Sequence, residues 1–160
     1  MTLAIPRSAG LIALAALMLS ACGAEPPPPP APTTVALSVE GRADMNGGAP
    51  ARVKVYYLNS DAAFRNADFF SLFEDPQAAL GPDLVAVDEY LLTPGGSEEA
   101  AKSFDAAVPF IGAVAGLRDI DRPGWKATSP LEPRAPNPIR LTLDGQGAKF
   151  EAVEGAGTEE

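Results

Sequence analysis

Large apolar side chains alternate with small or polar ones in Val35-Ala36-Leu37-Ser38-Val39-Glu40, and again in Arg52-Val53-Lys54-Val55-Tyr56. That period of two predicts two half-buried strands. From Ser60 to Phe73 the period changes, with Phe69, Leu72 and Phe73 at helical spacing. Asp75-Pro76-Gln77-Ala78-Ala79-Leu80-Gly81 then reads as a complete short helix, with a capping carboxylate, a proline in the first turn and a glycine to close it. Strand patterning resumes over 84–92 and leads into Thr93-Pro94-Gly95-Gly96, whose Pro-Gly pair suits the middle of a type II turn. Residues 97–104 have helical propensity, but their place between that turn and Pro109 predicts a strand. Residues 110–117 are apolar on both faces, as expected of a central strand whose two glycines mark close approaches. Residues 139–143 alternate cleanly, and Asp144-Gly145-Gln146-Gly147 turns them into 148–153 as a hairpin. Seven or eight short strands with regular turn signals predict an all-β sandwich, with a small helical insertion between strands two and three.

The first 34 residues have a different grammar. One base, Arg7, precedes an apolar run, Leu11 to Leu19, that is too short to span a bilayer and ends in Ser20-Ala21-Cys22. Leu19-Ser20-Ala21-Cys22 resembles the lipobox of bacterial lipoproteins, which implies cleavage before Cys22 and acylation of that residue. Cys22 is the only cysteine, and an unpaired thiol is otherwise a liability in an oxidising compartment. Gly23 stands where lipoproteins retained in the inner membrane carry aspartate, so the outer membrane is the expected lipid. Pro26 to Pro30 run without interruption and Pro32 follows. This is a polyproline stalk with a reach of at most roughly 37 Å from Gly23 to Thr34, at ~3.1 Å per residue. The organisation expected is therefore signal peptide 1–21, acylated cysteine and stalk 22–34, sandwich 35–153, and an acidic, disordered tail 154–160.

Twelve Lys and Arg stand against 21 Asp and Glu, a formal net charge of −9, and histidine is absent. Nucleic-acid backbones would be repelled, and Ser-His or Cys-His nucleophile pairs and imidazole zinc sites are excluded. Asp88-Glu89 and Glu98-Glu99 sit on strands, where neighbours point to opposite faces, so neither pair presents two carboxylates together. Arg118, Asp119 and Asp121 are expected to form an ion-pair network that fixes a turn. No EF-hand or phosphate loop occurs, and no cofactor, metal or catalysis is expected. The connection Gly41 to Ala51 is too long for a tight hairpin, and Met45 is its only large apolar side chain. It is expected to be exposed, as an adaptable protein contact or as a plain connector.

Val55-Tyr56-Tyr57-Leu58, the string from Ala63 through Ala67-Asp68-Phe69-Phe70-Ser71-Leu72-Phe73, and the stretch from Ala79-Leu80-Gly81-Pro82-Asp83-Leu84 through Tyr90 together resemble the TssJ (VasD, SciN) family. These are outer-membrane lipoproteins of type VI secretion systems. Pro94-Gly95-Gly96, Ile111 to Ala115, Arg118-Asp119-Ile120 and Trp125 extend the likeness over about residues 35–150. The resemblance implies a transthyretin-like sandwich that binds the periplasmic C-terminal part of the inner-membrane protein TssM, and through it TssL, beneath the outer membrane. It implies a contact through the loop joining strands one and two, here Arg42, Asp44, Met45, Asn46, Gly47 and Gly48. A carbohydrate-binding or hydrolytic lipoprotein, with Trp125 and Tyr90 as stacking rings, is the alternative expectation.

Overall fold

The computed structural model describes residues 27–153. The signal segment, Cys22 and the acidic tail lie outside the described residues. Residues 27–32 are exposed and belong to no strand or helix. Eight strands follow: β1 Thr33–Gly41, β2 Ala51–Leu58, β3 Leu84–Leu92, β4 Ser97–Phe104, β5 Phe110–Ala115, β6 Lys126–Pro130, β7 Pro136–Asp144 and β8 Gly147–Ala152. One sheet has the order β4-β1-β7-β8 and the other β3-β2-β5-β6. Only β1 and β7 pair in parallel; the remaining ladders are antiparallel. The predicted sandwich is thus present, and β1 begins two residues earlier than the alternation suggests. The buried Thr33 holds that start: its hydroxyl donates to Ala106 O at 3.0 Å and accepts from Arg134 N at 2.8 Å and Val108 N at 3.3 Å.

The main core lies between the sheets, where Val35, Leu37 and Val39 of β1 meet Val53, Val55 and Tyr57 of β2 and Ile111 and Ala113 of β5. A second core covers the outer face of the β3-β2-β5-β6 sheet, joining Tyr56, Leu58 and Val114 to Phe64, Leu72 and Leu80 of the insertion. Because β2 and β5 are covered on both sides, their apolar runs are nearly continuous. The insertion comprises three short helices: α1 Ala62–Asn66, α2 Phe69–Glu74 and α3 Pro76–Leu80. The single helical stretch read over 60–73 is in fact two, because the Asp68 carboxylate caps a fresh start by accepting from Ser71 N at 3.0 Å. Asp75 does the same for α3, accepting from Ala78 N at 3.1 Å.

Helices this short are unstable alone, so the sheet has to hold them. Three of its side chains supply donors to backbone carbonyls at or just beyond the helix ends. Lys126 Nζ donates to the carbonyls of Phe64, Arg65 and Ala67 at 2.8–3.2 Å, Lys54 Nζ to Phe73 O at 2.5 Å, and Tyr56 Oη to Leu72 O at 2.7 Å. Gly112 leaves the notch into which the Phe64 ring fits; a Cβ there would stand 2.8 Å from Phe64 Cζ.

Burial raises the hydroxyls of Tyr56 and Tyr57 above the ordinary tyrosine value of 10.0, with the charge of Glu89 adding to the first and that of Asp88 to the second. Tyr90 is raised in the same way. Phenolate is therefore costlier in the folded chain than in the unfolded one. The stability this carries is complete below pH ~10 and is lost as pH rises through the folded-state values. Phenolate absorbance is expected to stay low past the ordinary titration range and then to rise together with loss of circular dichroism. Ordinary titration of all three tyrosines in a still-folded chain would contradict this.

Candidate loop-end interaction site

Four connections gather at one end of the sandwich: 42–50, 93–96, 116–125 and 145–146. The stalk enters at the other end, nine residues of β1 away, roughly 26 Å at ~3.3 Å per residue. The connection that carries the sequence-predicted contact residues is 42–50. It is not an open loop. Arg42 N donates to Leu143 O at 2.8 Å and Met45 N to Arg42 O at 3.1 Å. Asn46, Gly47 and Gly48 then follow with φ of 48°, 64° and 80°, a left-handed run that glycine and asparagine tolerate best.

That fold-back returns Met45 to the interior. The expectation of a thioether on an exposed tip is overturned: Met45 is 0% exposed and joins the main core. Its sulfur fills the space above Gly41, where a Cβ would stand 2.5 Å from it. Met45 is the only large apolar side chain of this connection, and its place in the main core takes it out of water. Arg42, Asp44, Gly47 and Gly48 remain exposed, and Asn46 is half-buried. Asn46 works as a latch. Its Nδ2 donates to Pro50 O at 2.9 Å within its own loop, and its Oδ1 accepts from Arg118 N at 2.8 Å in the next.

Arg118 does not enter the ion-pair network expected of it. Arg122 instead reaches Asp119 at 3.7 Å, and Asp121 has no ion-pair partner among the described residues. The 116–125 connection is welded to the β7–β8 turn, where Ala148 N donates to Gly124 O at 2.7 Å and Gly124 lies too close to Gln146 for any side chain. Asp144 closes that turn by accepting from Gln146 N at 2.7 Å and Gly147 N at 3.1 Å. Between the three connections runs a groove of about 500 Å³, lined by Asn46, Gly47, Arg118, Asp119, Arg122 and Gln146 among others. Sequence reading missed Arg118 and Arg122 as neighbours of the 42–50 loop, since 72 residues separate Asn46 from Arg118.

The acidic pairs behave as their strand positions require. Asp88 faces inward to Lys102 at 2.5 Å, while Glu89 takes Arg52 at 2.9 Å on the opposite face. The hydrogen bond from Arg52 holds the Glu89 carboxyl below its usual range. Among the described residues, no three Asp, Glu or Cys side chains are grouped to hold a metal ion. Trp125 packs edge-on against Phe69, with centroids 5.5 Å apart, in the outer core, whereas Tyr90 packs on the inner one. The two rings suggested as a sugar platform therefore share no face.

The family model described as type VI secretion lipoprotein, VasD, EvfM, TssJ, VC_A0113 matches residues 33–146. No curated protein matches the chain. Among solved structures, the T6SS lipoprotein TssJ1 from Pseudomonas aeruginosa superposes with a TM-score of 0.73 at 32% identity, over 78% of this chain and 98% of that one. Lip from Serratia marcescens, a membrane-bound component of the type VI secretion system, gives 0.66 at 26%, over 74% and 96%. A chain of a type VI membrane complex gives 0.61 at 25%, over 75% and 97%.

Proposed function

Because the chain belongs to the type VI secretion lipoprotein family, we propose that it is the outer-membrane anchor of the secretion system's trans-envelope complex. Cys22 carries acyl chains in the periplasmic leaflet, the Pro-rich stalk gives reach, and the loop end binds the periplasmic C-terminal region of TssM and through it TssL. The mechanism is binding and involves no catalysis. One observation carries the reading: the stalk and the loop cluster leave opposite ends of β1. A domain tethered at Thr33 then turns its loop end away from the lipid, toward a protein that crosses the periplasm. Relatives that are membrane-bound components of the same system, or parts of its membrane complex, support the assignment.

Arg42 and Asp44 are the exposed charged members of the loop, so they test the contact without touching the core. The mature chain from residue 22, purified in detergent, is expected to bind the TssM periplasmic domain, and Arg42→Ala with Asp44→Ala to weaken that binding about tenfold. Unchanged affinity would remove the loop from the contact, and an absence of binding by the parent chain would remove TssM as the partner.

A further inference from the structure

The described residues spend almost all their positive charge internally. Arg52 and Lys54 hold Glu89, Arg140 holds Glu40, and Lys126 is consumed by three carbonyls. Every other Lys and Arg among the described residues likewise has a carboxylate or carbonyl within 4.0 Å, with one exception. The guanidinium of Arg118 is exposed and has neither an ion pair nor a hydrogen bond among the described residues. It stands in the loop-end groove, and its own backbone is pinned by the Asn46 amide at 2.8 Å. A chain with 21 acids and 12 bases has carboxylates to spare for such a group. None is used here.

Among the described residues, none of the acids around the groove forms an ion pair with Arg118. Asp119 takes Arg122, the Oδ1 of Asp144 takes two turn amides, and the Asp44 carboxylate packs against Gly145, where a Cβ would stand 2.7 Å from it. We infer that Arg118 is the receptor for a carboxylate side chain of the protein partner, an Asp or Glu laid into the groove between the 42–50 and 116–125 connections. A planar guanidinium matches a carboxylate through two parallel hydrogen bonds, and its fixed backbone lowers the ordering cost of making them. The inference rests on the proposed partner contact, and it assigns part of that contact to a residue outside the strand one to strand two loop.

The test measures affinity of the mature chain for the TssM periplasmic domain at low and physiological salt. Arg118→Gln is expected to bind about tenfold more weakly and to show a flatter salt dependence, with Arg118→Glu weaker still and Arg118→Lys between the parent and Arg118→Gln. Arg65→Gln, an equal change of charge on α1, is expected to shift affinity less than about twofold. If Arg118→Gln and Arg65→Gln bind alike while the parent chain binds, the carboxylate receptor is wrong and the proposed partner stands. If the parent chain does not bind, the partner reading falls and this one with it.

Discussion

Replacing Phe64 with alanine is expected to lower the unfolding free energy by about 3–5 kcal/mol, the range for removing a large aromatic ring from a filled site. The ring is fully buried, 5.2 Å from Tyr56 by centroid, and it occupies the notch that Gly112 leaves in β5. Its loss strips α1 of the one side chain that is wholly inside the second core. For a domain of this size that is a large share of the total, since net stabilities run about 5–15 kcal/mol. The reciprocal change, Gly112→Ala, pushes a methyl group to 2.8 Å from Phe64 Cζ and is expected to cost about 1–3 kcal/mol through displacement of the ring. Equilibrium denaturation checks both. A loss below about 1 kcal/mol for Phe64→Ala would mean that the insertion is held by its carbonyl bonds to Lys126, Lys54 and Tyr56 and not by this ring.

Cys22→Ser is expected to move the protein from the outer-membrane fraction to the soluble periplasm while leaving the folded domain unchanged. On the proposed anchoring, acyl chains supply all the membrane affinity, at ~0.8 kcal/mol per buried methylene. Among the described residues no helix is long and apolar enough to cross a membrane. Fractionation of cells expressing each form measures the outcome, and secretion should fail with the variant although its affinity for the partner domain is intact. Retention of Cys22→Ser in the outer membrane would defeat the acyl-anchor reading.

How much of this was legible beforehand depended on whether local pattern or distant partners set each feature. β1 and β5 could be read because their burial is periodic or continuous within six residues. The 97–104 segment favours helix by propensity, yet it is a strand because β1 offers it eight residues of antiparallel partner. Its inward-facing Lys102 is neutralised by Asp88, a device that also protects an edge strand from stray pairing. β6 was not foreseen: Lys126-Ala127-Thr128-Ser129-Pro130 has no large apolar side chain, and only its place beside β5 makes it a strand. The prolines of β7 hid its beginning too. Pro136 and Pro138 are tolerated because β8 takes up its register only at Ile139, and beyond it Pro138 only accepts, from Val153 N at 3.1 Å, so no proline donor is missed.

In the 42–50 connection, the expected exposure of Met45 fails. Asn46-Gly47-Gly48 signals a left-handed fold-back, and a chain that doubles back so tightly can return the residue before it to the core, as Met45 shows. Nothing local pointed to Arg118. The role proposed for it rests on its lack of a partner among the described residues, which no sequence pattern encodes.

The position of β1 sets how the molecule answers tension. Its axis runs from the stalk to the loop end, and it is hydrogen-bonded on both flanks, to β4 and to β7, along nearly its whole length. A load entering at Thr33 and leaving through the loops therefore pulls in shear, straining both ladders at once instead of peeling one bond after another. On the proposed anchoring, a strand gripped from two sides resists being dragged out lengthwise.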